Sequence, residues 1–189
     1  MTEIHYDCEF LECGSRHPID FISIGMRAET GDELYLISSE FDRRAVGRHE
    51  WLMANVVPSL PFTAYPSSAA PGMWLVPDVH HADYPALMPR SAIAAKVRDF
   101  VLSFARPSLW GWYCAYDHVV LCQLFGTMAE LPEGFPAYTH DLKHEADRLG
   151  NPRLPRMPGA VAHRSIDDAR ETWYRHRWLR TPGEAATAP

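Results

Sequence analysis

The ten residues HYDCEFLECG, 5–14, decide how this chain is read. They have the texture of a strand, yet Asp7 and Glu9 stand two apart where a core strand would carry apolar side chains. Alternate side chains of a strand share a face, so both carboxylates point one way with their Cα atoms about 6.6 Å apart. Cys8 then points the other way, into the core. Two acids this close raise each other's pKa unless a cation lies between them. Oxygen ligands on a rigid element are what Mg²⁺ or Mn²⁺ requires. A strand face turned to water is the plainer alternative for so short a pattern.

Around this strand the sequence is that of one α/β domain. Its 189 residues, 47% hydrophobic and 22% charged, suffice for a single packed core. No apolar run approaches the roughly 20 residues of a membrane helix. The opening MTEIHYDCEF lacks the basic-then-apolar order of a secretory signal. A cytoplasmic location is therefore the expectation, with reduced thiols at Cys8, Cys13, Cys114 and Cys122, none of them in C-x-x-C spacing. A net charge of −6 argues against a surface that coats nucleic acid broadly. From Lys143 to Arg180, however, nine Lys/Arg stand against five Asp/Glu, which leaves the rest of the chain at −10. That asymmetry fits a local polyanion footprint as well as it fits a solvated basic helix.

Pattern and turn chemistry predict strands at 3–10, 18–29 and 33–41, the last two joined in a hairpin by ETGDE at 29–33. A helix is expected over 43–56. Seven of the sixteen prolines then lie between 58 and 89, a segment read as a Pro-rich loop or arm serving as a lid or a partner surface, where a homodimer would make its contact. Ser91 is the expected N-cap of a helix ending near Phe104. SLWGWYCAY (108–116) reads as a buried strand and HVVLCQLFG (118–126) as a helix stopped by Gly126. A short strand near 137–140, a helix over 142–149 capped by Asp141, a Pro-rich loop over 151–159 and a helix over 164–180 complete the domain, 1–180. Residues 181–189 read as a disordered tail. The sum is α/β, a mixed five- to six-stranded sheet flanked by helices.

Two further sites carry chemistry. Asp117 stands where a buried strand gives way to a helix, the end of an α/β sheet where functional groups collect; a helix N-cap would also place an Asp there. In AHRSIDDARETW (162–173), His163 and Asp168 lie five apart around the start of the last helix. Ile166, Ala169 and Trp173 can dock that helix while Asp168 faces elsewhere, and Asp167, one position away, points about 100° around the axis. A histidine neutral near pH 7 can take a proton from water, although a surface histidine at a helix start is the ordinary alternative.

Taken together, Asp-x-Glu in the first strand, a mid-chain Asp opening a helix and His-x-x-x-x-Asp near the end resemble the DEDDh 3′–5′ exonucleases. YDCEFLECG, ISIGMRAETGDELYLISSEFD, WGWYCAYDHVVLCQLFG and HRSIDDAR narrow that resemblance to the bacterial polyadenylate-specific 3′-exoribonuclease AS family, over most of residues 4–178. The resemblance implies an RNase H-like fold, with Asp7, Glu9, Asp117 and Asp168 as ligands of two divalent cations, Mg²⁺ or Mn²⁺, and His163 as the base. It implies single-stranded RNA or an RNA 3′ overhang as substrate and nucleoside 5′-monophosphates as products. Phe10 and Leu11, directly after the metal strand, are then expected against the terminal base. The backbone amides of that stretch, Cys8 included, are expected against the ribose 2′-OH. Trp112 and Tyr116 are candidate stacking platforms, and Arg164 and Arg170 candidate phosphate contacts. The same chemistry on DNA 3′ ends or short oligonucleotides, and a non-catalytic nucleic-acid-binding module, remain alternatives at this point.

Overall fold

Strand β1 (Thr2–Leu11) lies inside a six-stranded mixed sheet in the computed structural model of the chain, which describes residues 1–15, 18–68 and 71–181. β2 (Asp20–Ala28) and β3 (Glu33–Ser38) continue from it as an antiparallel meander. β6 (Leu87–Met88) adds parallel to β3, β7 (Pro107–Gly111) parallel to β1, and β8 (Thr139–Asp141) parallel to β7. The order β6-β3-β2-β1-β7-β8, flanked by helices, is the mixed α/β sheet expected, consistent with an RNase H-like fold. The expected tail lies outside the described residues from 182 onward. Among the described residues no helix is long and apolar enough to cross a membrane.

The two faces of β1 differ in kind. Ile4, Tyr6 and Cys8 join Ile24, Met26 and Leu109 beneath α3 (Arg90–Leu102) and α4 (Ala115–Gln123), which contribute Ile93, Val97, Val101, Val120 and Leu121. Glu3, His5, Asp7 and Glu9 point the other way, and the long helix α6 (Ser165–Arg180) packs over that face of β1 and β2. Gly25, paired with Asp7 across the ladder, allows the close approach: a Cβ there would overlap the backbone nitrogen of Ile166. Ser23 and Ser165 hydrogen-bond beside it at 3.1 Å. The acids of β1 therefore face a helix rather than bulk water.

Several elements differ from their expected form. The helix over 43–56 is two, α1 (Arg43–Val46) and α2 (Glu50–Asn55), because Gly47 lies against the carbonyl of Met73 where any Cβ would collide. The Pro-rich segment is not a bare loop: β4 (Phe62–Pro66) and β5 (Met73–Pro77) form an antiparallel hairpin. Phe62 and Leu75 seat that arm on a second core with Phe41, Val46, Leu52 and Leu60. β7 ends at Gly111 rather than 116, since the chain turns there tightly against the Cβ of Cys114. α3 starts at Arg90 with Pro89, not Ser91, in the cap position, and α4 ends before Gly126. Asp141 does cap the next helix, α5 (Leu142–Arg148), accepting from the Lys143 amide at 2.8 Å. Cys8, Cys114 and Cys122 are buried free thiols and Cys13 an exposed one.

Candidate active site

Four carboxylates from three elements meet at one open cavity of about 760 Å³. β1 supplies Asp7 and Glu9, and its register against β2 shifts just after Glu9, a bulge that re-aims the end of the strand. α4 supplies Asp117 from its first turn. Its cap position is held by Cys114, so Asp117 does not cap the helix; its carboxylate accepts the Cys8 amide at 2.8 Å instead and ties α4 to β1. α6 supplies Asp168 from its first turn, and the loop before it supplies His163, whose backbone is left-handed with φ 61°. The His163 amide donates to Asp168 Oδ2 at 2.7 Å. Its Nδ1 stands 4.0 Å from Glu9 Oε1. Donor atoms of Glu9, His163 and Asp168 all lie within 4.8 Å of one another.

The acids oppose one another's ionisation. Burial, then the charges of Asp117, Glu9 and Asp168, push the Asp7 carboxyl well above the usual carboxylate range. Burial, with Asp168 and Asp117 behind it, pushes Glu9 up to about 8. Asp117 and Asp168 rise to about 6, again through burial, despite the amide hydrogen bonds from Cys8 and His163 that favour their charged forms. Buried carboxylates so arranged are costly unless a cation neutralises them. An all-oxygen set on strand and helix with one nearby imidazole suits hard divalent ions of the Mg²⁺ or Mn²⁺ kind.

The expected substrate contacts fall out unevenly. Phe10 lines the cavity and stacks on Tyr116, centroids 6.1 Å apart and planes within 16°. Leu11 forms cavity wall but buries most of its side chain in the second core. Trp112 lines the cavity beneath the guanidinium of Arg175, 5.0 Å from its ring centroid. Cys8 lines the cavity too, but its amide, expected at a ribose, is already donated to Asp117. Arg164 and Arg170 do not face the cavity. Arg164 grips Asp83 and Asp167, and Arg170 grips Glu33 and Asp167, so both brace α6 against the sheet and the arm. Asp167, turned away from the acids, is the hub of that brace.

Further cavity residues were not singled out from the sequence, Trp51 and Arg156 among them. Trp51, on α2 and 48% exposed, sets its ring edge-to-face on the His163 imidazole, centroids 4.7 Å apart. Arg156 reaches the cavity from the Pro-rich loop before α6. A separate group, Glu3, His5 and His176, also gathers possible donor atoms. There Arg180 already grips both oxygens of Glu3, and the two imidazoles bond each other at 2.8 Å, which closes the network as a clasp between β1 and the end of α6.

The fold is consistent with an RNase H-like one, and four acids from three of its elements share one cavity. No protein-family model matches the chain. Among known proteins it is similar to 3′–5′ exoribonucleases of two strains of Mycobacterium tuberculosis, each 36% identical over 182 residues, covering 95% of this chain and 94% of the relative. The chain belongs to this family of 3′–5′ exoribonucleases.

Proposed function

We propose that the chain is a divalent-metal-dependent 3′–5′ exoribonuclease of the DEDDh type, close to the polyadenylate-specific exoribonuclease AS group. It would release nucleoside 5′-monophosphates from single-stranded RNA or an RNA 3′ overhang. The observation that carries this reading is the convergence of Asp7, Glu9, Asp117 and Asp168 in one cavity, each raised in pKa by burial, with His163 beside two of them. Asp7, Glu9, Asp117 and Asp168 would hold two divalent cations, which supply charge neutralisation for an in-line phosphoryl displacement.

The protein's own groups do the rest. His163, its side chain 42% exposed toward the cavity, takes the proton of the attacking water. The hydrogen bond from its amide to Asp168 and the Trp51 edge against its ring hold it in place. Phe10, backed by Tyr116, gives the terminal base a flat apolar surface. As water bonds to phosphorus, the bond to the 3′-oxygen of the preceding nucleotide breaks and that oxygen leaves as the new 3′-hydroxyl.

The test is time-resolved product analysis on matched 5′-labelled RNA and DNA with Mg²⁺, Mn²⁺ or EDTA. Stepwise shortening of RNA from its 3′ end, abolished by EDTA, is expected. Equal or faster loss of DNA would move the substrate to DNA ends, and binding of RNA without turnover at saturating metal would leave a non-catalytic module.

A further inference from the structure

An RNA chain entering this cavity meets four carboxylates, so phosphates that are not being cut need a cation from the protein itself. Among the described residues two arginines line the cavity, Arg156 and Arg175. Arg175 is bonded to Glu171 and lies over Trp112. Arg156 makes no hydrogen bond or ion pair among the described residues. Its backbone is nonetheless held. Leu154 packs on the buried cluster of Leu142, Ala146 and Leu179, and Pro155, which restricts both its own φ and the residue before it, connects that anchor to Arg156. Binding an anion would therefore order little beyond one side chain.

We propose that Arg156 forms a second subsite on the cavity wall, for a phosphodiester of the RNA chain other than the scissile one. Its planar fork suits a phosphate held through two parallel hydrogen bonds. The subsite gives the enzyme a preference for substrates with at least one phosphate beyond the bond being cut. This rests on the exoribonuclease reading above.

The experiment compares adenylyl-(3′→5′)-adenosine, which carries only the scissile phosphodiester, with the adenosine trinucleotide and longer oligoadenylates. Arg156→Ala should lower kcat/KM on the longer substrates by at least about tenfold, chiefly through KM, and leave the dinucleoside monophosphate unchanged. Arg156→Lys should recover part of the loss. The slope of log affinity for fluorescent single-stranded RNA against log salt should fall by about 0.7 in Arg156→Ala. Arg153→Ala, an exposed arginine of the same loop outside the cavity wall, is the control and should behave as wild type. The subsite is overturned by equal loss on every substrate, by no loss on the longer ones, or by Arg153→Ala matching Arg156→Ala. Where the dinucleoside monophosphate is not cut, the salt slope decides alone. A wild-type protein that shortens no RNA removes the exoribonuclease reading, yet the binding comparison still judges Arg156 separately.

Discussion

His163 reaches the acids through a backbone conformation that costs a non-glycine residue roughly 1–2 kcal/mol. The hydrogen bond its amide donates to Asp168 and its ring contact with Trp51 are what hold it there. His163→Ala should therefore lower kcat on RNA by about 10²–10⁴, with metal-induced stabilisation retained, as read by initial rates and thermal melts. A near-normal rate would remove it as the base. Trp51→Ala tests the second support. An edge-to-face pair contributes about 0.5–1.5 kcal/mol, so kcat should drop by up to about tenfold and recover in Trp51→Phe. A drop in stability without a change in kcat would make Trp51 merely structural. The pairing of His163 with Asp168 was legible because both lie within one short stretch around the start of the last helix. The Trp51 contact was not, since α2 is distant in sequence and only tertiary packing brings the rings together.

At the scale of elements, the site depends on how closely α6 lies on β2. Gly25→Ala would drive a methyl group into the backbone of Ile166 and lift the first turn of α6, with Asp168, off β1. Overpacking of this kind costs about 1–3 kcal/mol, visible as a lower denaturation midpoint. Activity measured where the protein remains folded should fall further than that, because Asp168 would move away from Asp7 and Glu9. Retained activity in a well-folded Gly25→Ala protein would show that the approach of α6 is not limiting. The strands were legible from alternation and from ETGDE, the turn that joins β2 to β3. The β4–β5 hairpin was hidden by its prolines, yet Pro66 and Pro77 end their strands, where a missing amide costs least. The stretch 108–116 was read too long as a strand because an apolar run looks alike in a strand and in the start of a helix; Gly111 was the signal that divides them.

For the whole molecule, the same acids that make the site weaken the fold that carries it, and metal should reverse that. Glu9 sits at about 8 in the folded chain against an ordinary 4.5, so the folded state holds more protons than the unfolded one between those values. Stability without metal then falls as pH rises through that window, and Asp117 and Asp168, raised from 3.8 to about 6, act in the same sense lower down. The buried His176 opposes them. Its folded pKa of about 4 lies below the ordinary 6.5, so its contribution to stability rises with pH between those values and is flat above. Between pH 6.5 and 8 the acids are left to dominate. In EDTA, Tm should fall across that interval, and Glu9→Gln should flatten the fall. A divalent cation that binds the folded site alone, tested as Mg²⁺ or Mn²⁺, should add about 2.7 kcal/mol at a hundred times its dissociation constant. Because ligands must first lose their protons, the gap between metal-loaded and EDTA-treated protein should widen from pH 6.5 to 8. A Tm indifferent to metal, or a gap that narrows with rising pH, would mean that the four acids do not share cations in the folded protein.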